Sequence, residues 1–150
     1  MKKLVILMMA STLMMASCKS EIVESANTPM DALRASNLLG QWRLKSYSNG
    51  QVSKYDVSLE FKMEEGKIKM NGQSSVNFYS ADAEIDETNK TLKVLVLGTT
   101  KIAGTPEANE FEMAYYENLK NIERYDFKDK NTLVFYLAGA SKETMYFEKK

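Results

Sequence analysis

From Leu38 onward, apolar and polar residues alternate with a period close to two, the pattern of half-buried β-strands. Trp42 and Leu44 alternate with Gln41, Arg43 and Lys45, and Asn49-Gly50 follows as a hairpin-type turn. Val57, Leu59, Phe61 and Met63 alternate with Ser58, Glu60 and Lys62, the clearest strand in the chain. Glu64-Glu65-Gly66-Lys67 turns into Ile68 and Met70. Asn71-Gly72 reads as a further turn or a bulge, and Ser74 to Ile85 as a weaker alternating stretch with room for two short strands. After the polar turn Glu87-Thr88-Asn89-Lys90, Leu92, Val94 and Val96 share one face while Leu95 and Leu97 are apolar on the other. That predicts a strand covered on both sides.

The rhythm then changes. Thr105 is a capping residue, Pro106 suits the first helical position, and Glu107 suits the positive end of the helix dipole. Ala108, Phe111, Tyr115, Leu119 and Ile122 recur at steps of three and four, which predicts an amphipathic helix of about four turns. Strands resume at Tyr125 and Phe127, turn at Asp129-Lys130-Asn131, continue through Leu133, Phe135 and Leu137, turn at Gly139, and close with Met145 and Phe147. The expected fold is mostly β: a curled antiparallel sheet or small barrel of about seven or eight strands, with one helix inserted before the last strands. Trp42 is expected to plug one end of the sheet, with Gly40 letting a neighbouring backbone approach.

Upstream of this domain the chain follows different rules. Lys2 and Lys3 precede an almost wholly apolar run from Leu4 to Met15, too short to span a bilayer. Met15-Ala16-Ser17 then leads into Cys18, the only cysteine. This tetrapeptide resembles the bacterial lipobox, in which the thiol is diacylated, the chain is cut before the cysteine and the new N-terminus is acylated. The expected organisation is a signal peptide at residues 1–17, a lipidated Cys18 with a tether to residue 37, and a domain from 38 to 150. Each buried methylene contributes about 0.8 kcal/mol and two chains anchor stably, so an acylated Cys18 suffices as an anchor, the membrane being its partner. Lys19 follows the cysteine where an Asp would signal inner-membrane retention in enterobacteria. The outer membrane is therefore the expected location, at its periplasmic face or, given Glu21 and Glu24, on the cell surface as in Bacteroidetes lipoproteins.

Lys plus Arg equals Asp plus Glu at 20 each, and removing Lys2 and Lys3 leaves 18 against 20. That balance makes no electrostatic case for nucleic acid. The absence of histidine and the single cysteine remove Ser-His-Asp and Cys-His catalysis and the common zinc, copper and haem ligand sets. No phosphate-binding glycine loop or nucleophile elbow occurs. Asp82, Glu84 and Asp86 invite a calcium reading, but alternation sends them to one solvated face and the EF-hand spacing is missing. No metal, cofactor or enzymatic activity is expected. Eight tyrosines read as sheet and rim residues with wet hydroxyls, or as an aromatic binding surface.

Three blocks resemble the META domain (HslJ-like) family of bacterial envelope lipoproteins. Leu39-Gly40-Gln41-Trp42-Arg43-Leu44 is similar to its L-x-G-x-W-x-L opening. Thr99-Thr100-Lys101-Ile102-Ala103-Gly104, with Glu110, Tyr115 and Leu119 behind it, is similar to its T-[RK]-M-A-[CG] turn and E-x-x-[FY]-x-x-x-L helix. Leu133-Val134-Phe135, Gly139 and Met145-Tyr146-Phe147-Glu148 are similar to its closing strands. Many members carry a G-C-N motif and a cysteine in the second block; here Val76-Asn77 and Gly104 stand in their place, so no disulfide transfers. The resemblance implies a non-enzymatic envelope protein linked to stress or drug tolerance that acts by binding an envelope protein or small ligand. Asn77, Thr99, Thr100 and Lys101 are the candidate binding residues. A lipocalin-like carrier of an apolar ligand, suggested by Gly40-Gln41-Trp42, and an inhibitor of an envelope or host protease are the alternatives.

Overall fold

A computed structural model describes residues 37–139 and 143–150. Cys18, the signal segment and the tether to residue 36 lie outside the described residues. Among these residues eight antiparallel strands run in sequence order around a closed barrel: β1 (Gly40–Tyr47), β2 (Ser58–Glu64), β3 (Lys67–Gln73), β4 (Phe78–Asp86), β5 (Thr91–Thr99), β6 (Ile122–Asp129), β7 (Thr132–Leu137) and β8 (Thr144–Lys149). One helix, α1 (Pro106–Lys120), is inserted between β5 and β6. The fold expected from the pattern is therefore the fold observed. Up-and-down order puts the β1–β2, β3–β4 and β7–β8 connections and α1 at one end of the barrel. The tight turns β2–β3, β4–β5 and β6–β7 lie at the other.

Alternation fills the interior. Trp42, Phe61, Tyr125, Phe135 and Phe147 are fully buried, with Leu59, Met70, Leu92 and Leu133 between them. Burying each such side chain is worth about 1.5–3 kcal/mol. A barrel filled in this way resembles a core rather than a ligand-carrying lipocalin cup. Trp42 sits at the end away from α1, its indole N–H donating to the Leu38 carbonyl at 2.8 Å. Gly40 matters for its φ of +115° and not for a close approach, since a Cβ there would meet only Lys149 Cε at 3.9 Å.

Three local expectations are corrected. Asn71-Gly72 is neither turn nor bulge but lies within β3, in regular register with Leu59 and Tyr79. The glycine is needed because a Cβ there would collide with the Ser58 carbonyl and with the hydroxyl end of the Tyr79 ring. Ser74 to Ile85 holds one strand, β4, preceded by a connection. β5 is not covered on both sides. Ala81 pairs with Leu97 and Ala83 with Val94, so Leu95 and Val96 together oppose Asp82. This bulge switches the inward parity from Leu92 and Val94 to Leu97 and leaves Leu95 and Val96 exposed. The barrel closes at a narrow seam, where Thr91 pairs with Arg124 and Tyr125 N–H donates to the Lys90 carbonyl at 2.9 Å.

Candidate functional site

α1 begins where its sequence directs. Thr105 is extended and its hydroxyl accepts from Ala108 N–H at 3.3 Å, with Pro106 in the first turn. The helix ends at Lys120, so Ile122 belongs to β6 rather than to the helix. Its buried face is Ala108, Glu112, Tyr115, Tyr116 and Leu119. The helix acid that meets the fold is thus Glu112, while Glu110 is exposed. Glu112, Tyr115 and Leu119 stand at successive steps of three and four, the spacing of E-x-x-Y-x-x-x-L.

The tyrosines expected to have wet hydroxyls are in large part interior. Tyr79 donates to the Ser58 carbonyl at 2.9 Å, and its hydroxyl lies 2.9 Å from that of Tyr115. Burial pushes both hydroxyls above their ordinary pKa. These rings fasten α1 across the mouth of the barrel.

A polar clamp surrounds them. Asn77, in the β3–β4 connection, is buried, and its side-chain amide is fully engaged. Nδ2 donates to Glu112 Oε1 at 2.7 Å and to the Ile102 carbonyl at 3.0 Å. Oδ1 accepts from the Thr100 hydroxyl and from Ile102 N–H, both at 2.7 Å. The Asn77 backbone N–H donates to Glu112 Oε2 at 2.8 Å, and the Ser74 hydroxyl donates to the same oxygen. Ser74 also lies 3.1 Å from the Tyr116 hydroxyl. Burial acts to raise the Glu112 carboxyl, but the hydrogen bonds from Ser74 and Asn77 prevail and hold it below the usual glutamate value. The result is a buried carboxylate stabilised by neutral donors, with no salt-bridge partner among the described residues.

Of the four candidate binding residues, the structure brings together two. Asn77 and Thr100 share this clamp. Thr99 pairs with Tyr79 at the end of β5, and Lys101 is exposed beside the turn. With its lone pairs and protons engaged inside the protein, Asn77 is placed to lock the β3–β4 connection, the β5–α1 turn and the helix together. Sequence reasoning missed Ser74, Glu112 and Tyr116. An acid on the apolar stripe of a helix was the signal for Glu112, because a buried carboxylate requires internal donors. Asp82, from the acidic run, pairs with Lys69 across the sheet, and Asp86 accepts from Thr88 and Asn89 in its own turn.

The positions occupied by cysteine in many relatives of the resembling family face one another here. A Cβ built on Gly104 would collide with a methyl of Val76.

A groove of about 560 Å³, which shares no lining residue with the clamp, lies between α1 and the β1–β2 connection. Its wall is aromatic: Tyr55 and Phe111 have ring centroids 4.8 Å apart, and Phe111 is stacked parallel to Tyr115 at 6.4 Å. Tyr47 and Asn118 lie along it, with Glu107, Glu110, Glu117, Glu143 and Lys54 around the rim. A smaller groove of about 460 Å³ at the Trp42 end is lined by Asn37, Phe127, Asp129, Lys130 and Lys149.

The fold is shared with solved structures. An NMR structure of a protein from Burkholderia xenovorans superposes with a TM-score of 0.60 at 20% identity, covering 77% of this chain and 86% of that one. A second NMR structure gives 0.58 at 22% identity over 77% and 93%. The crystal structure of a DUF4847 family protein from Bacteroides vulgatus gives 0.52 at 17% identity over 79% and 97%. No curated protein matches. The META domain family model matches residues 35–150, the helix-capped barrel and the clamp included, and the chain belongs to that family.

Proposed function

We propose that this protein is a lipid-anchored envelope protein, held through Cys18 at the outer membrane, that acts by binding and not by catalysis in envelope maintenance or stress tolerance. The observation that carries the binding part is the groove between α1 and the β1–β2 connection. Its volume falls within the roughly 300–1,000 Å³ usual for small-molecule sites, and it sets an aromatic wall of Tyr55 and Phe111 within a largely polar and charged lining. Support for a non-catalytic role comes from the residue inventory, which lacks histidine, and from the engaged state of Glu112. The filled barrel interior favours this external groove over a lipocalin-like internal cup.

The anchor is tested by mass spectrometry of the protein isolated from its own bacterium. The expected product starts at Cys18 and carries acyl chains; a free thiol on a soluble product would overturn the assignment. The groove is tested by complementing a deletion strain. Ala114→Trp, at an exposed groove-lining position, is expected to fill the groove and abolish complementation with the barrel intact. Lys62→Trp, on an exposed part of β2, is expected to complement. Full complementation by the groove-filling variant would reject binding at this site.

A further inference from the structure

We propose that the groove between α1 and the β1–β2 connection binds a small organic cation, an ammonium group carried on an apolar body. The inference rests on the reading of this groove as the binding site and adds the class of ligand. Four glutamates border the groove against one lysine, Lys54. Glu117 is already paired with Lys120 at 2.7 Å. Among the described residues, Glu107, Glu110 and Glu143 have no salt-bridge partner. Between them lies the aromatic wall of Tyr55 and Phe111, whose ring faces carry negative quadrupole potential. An anion would meet repulsion from both features. A neutral apolar molecule would use the rings but leave the carboxylates idle. A cation with an apolar body uses both.

A second observation points the same way. Tyr47 is nine-tenths buried, yet it lines the groove. The Asn118 side chain is the hydrogen-bonding neighbour of its hydroxyl. Burial, against the lowering effect of Asn118 and with the nearby Glu143, pushes this hydroxyl up to about 12, so it stays protonated and adds no charge of its own at neutral pH. The groove thus presents a polar floor of Tyr47 and Asn118, an aromatic wall, and a rim on which the Glu110 and Glu143 carboxylates have no hydrogen-bond or salt-bridge partner among the described residues, while Glu107 is held by Thr105.

The test is a titration of the folded domain, followed by NMR, with three probes that share a ring and differ in charge: benzyltrimethylammonium, benzyl alcohol and benzoate. Benzyltrimethylammonium is expected to shift Tyr47, Tyr55 and Phe111 and to bind at least tenfold more tightly than either control. Added salt should weaken it. The double variant Glu110→Gln/Glu143→Gln alters two side chains that make no hydrogen bond in the fold among the described residues, and should weaken the cation about tenfold while leaving benzyl alcohol unchanged. Equal or tighter binding of benzyl alcohol or benzoate at these residues would overturn the cation assignment and leave the groove as a site. Shifts from none of the three would overturn both. Binding of the cation that is indifferent to the double variant would also reject the proposal.

Discussion

Glu112 of α1 receives both the side-chain amide of Asn77, at 2.7 Å, and its backbone N–H, at 2.8 Å. One carboxylate therefore fixes the conformation of the β3–β4 connection and its distance from the helix. Hydrogen bonds to a charged group contribute about 1.5–3 kcal/mol each, and losing one partner leaves buried groups unpaired. Glu112→Gln is expected to destabilise the domain by about 2–3 kcal/mol, because an amide N–H₂ would face donors on at least one side. Urea unfolding measures this, and an unchanged midpoint would reject the clamp as a stabilising element.

The same pair fixes the sign of a pH dependence. The folded-state pKa of Glu112 lies below its ordinary value, burial notwithstanding, because Ser74 and Asn77 donate to the ionised form. The folded form therefore holds this proton less tightly than the unfolded chain, whose glutamates titrate near about 4.3. The stabilisation is complete above the unfolded pKa and is lost as pH falls through the folded one. The stability gap between the natural protein and Glu112→Gln should narrow between pH 5 and pH 3, about the range these values span. A gap that is constant with pH would show that the carboxylate is not ionised in the fold.

Asn77→Ala removes the other half of the pair and also frees Ile102 and Thr100 from Oδ1. Its expected cost is about 2–4 kcal/mol, with a coupling to Glu112→Gln of more than about 1 kcal/mol in a double-mutant cycle. Thr99→Ala and Lys101→Ala, at exposed positions outside the clamp, should each change stability by less than about 0.5 kcal/mol. Equal effects at all four positions would contradict the division the structure draws among them.

Val76 and Gly104 face each other closely enough that a single larger residue at 104 collides with the valine. Gly104→Ala alone should therefore destabilise the domain by about 1–3 kcal/mol. Val76→Cys/Gly104→Cys removes the valine methyls and places two thiols across the same gap. Under oxidising conditions it should close a disulfide and stabilise by about 2–4 kcal/mol relative to its reduced form. Free thiols after oxidation, counted by mass spectrometry, would refute the facing arrangement.

Gly72 sits near the end of β3, where the space a Cβ would need is taken by the Ser58 carbonyl and the Tyr79 ring. Gly72→Ala should displace the Tyr79 hydroxyl from Ser58 and Tyr115, costing about 1–3 kcal/mol and altering the near-ultraviolet tyrosine signal. A variant as stable as the parent would show that this packing is loose.

The order of elements was legible from the chain alone. Alternation at Trp42 and Leu44, at Val57 to Phe61 and at Leu133 to Leu137 reports which residues face inward, because a strand repeats every two residues whatever it packs against. Thr105-Pro106-Glu107 marks the helix start for equally local reasons. The bulge at Leu95 and Val96 was not legible, since both readings of that apolar run satisfy the alternation and only the register with β4 selects one. Nor was the role of Asn77. Its four side-chain hydrogen bonds run to residues 23 to 35 positions away, and a partner at that distance leaves no periodicity behind. Local steric and hydrophobic rules write themselves into the sequence and determined the run of strands, a curled sheet or small barrel, and the inserted helix; closure itself was decided by the pairing of β1 with β8 and of β5 with β6. The Glu112 clamp, the Val76–Gly104 contact and the acidic aromatic groove arise only when closure brings separate connections to one end of the barrel, so the tertiary structure decided them.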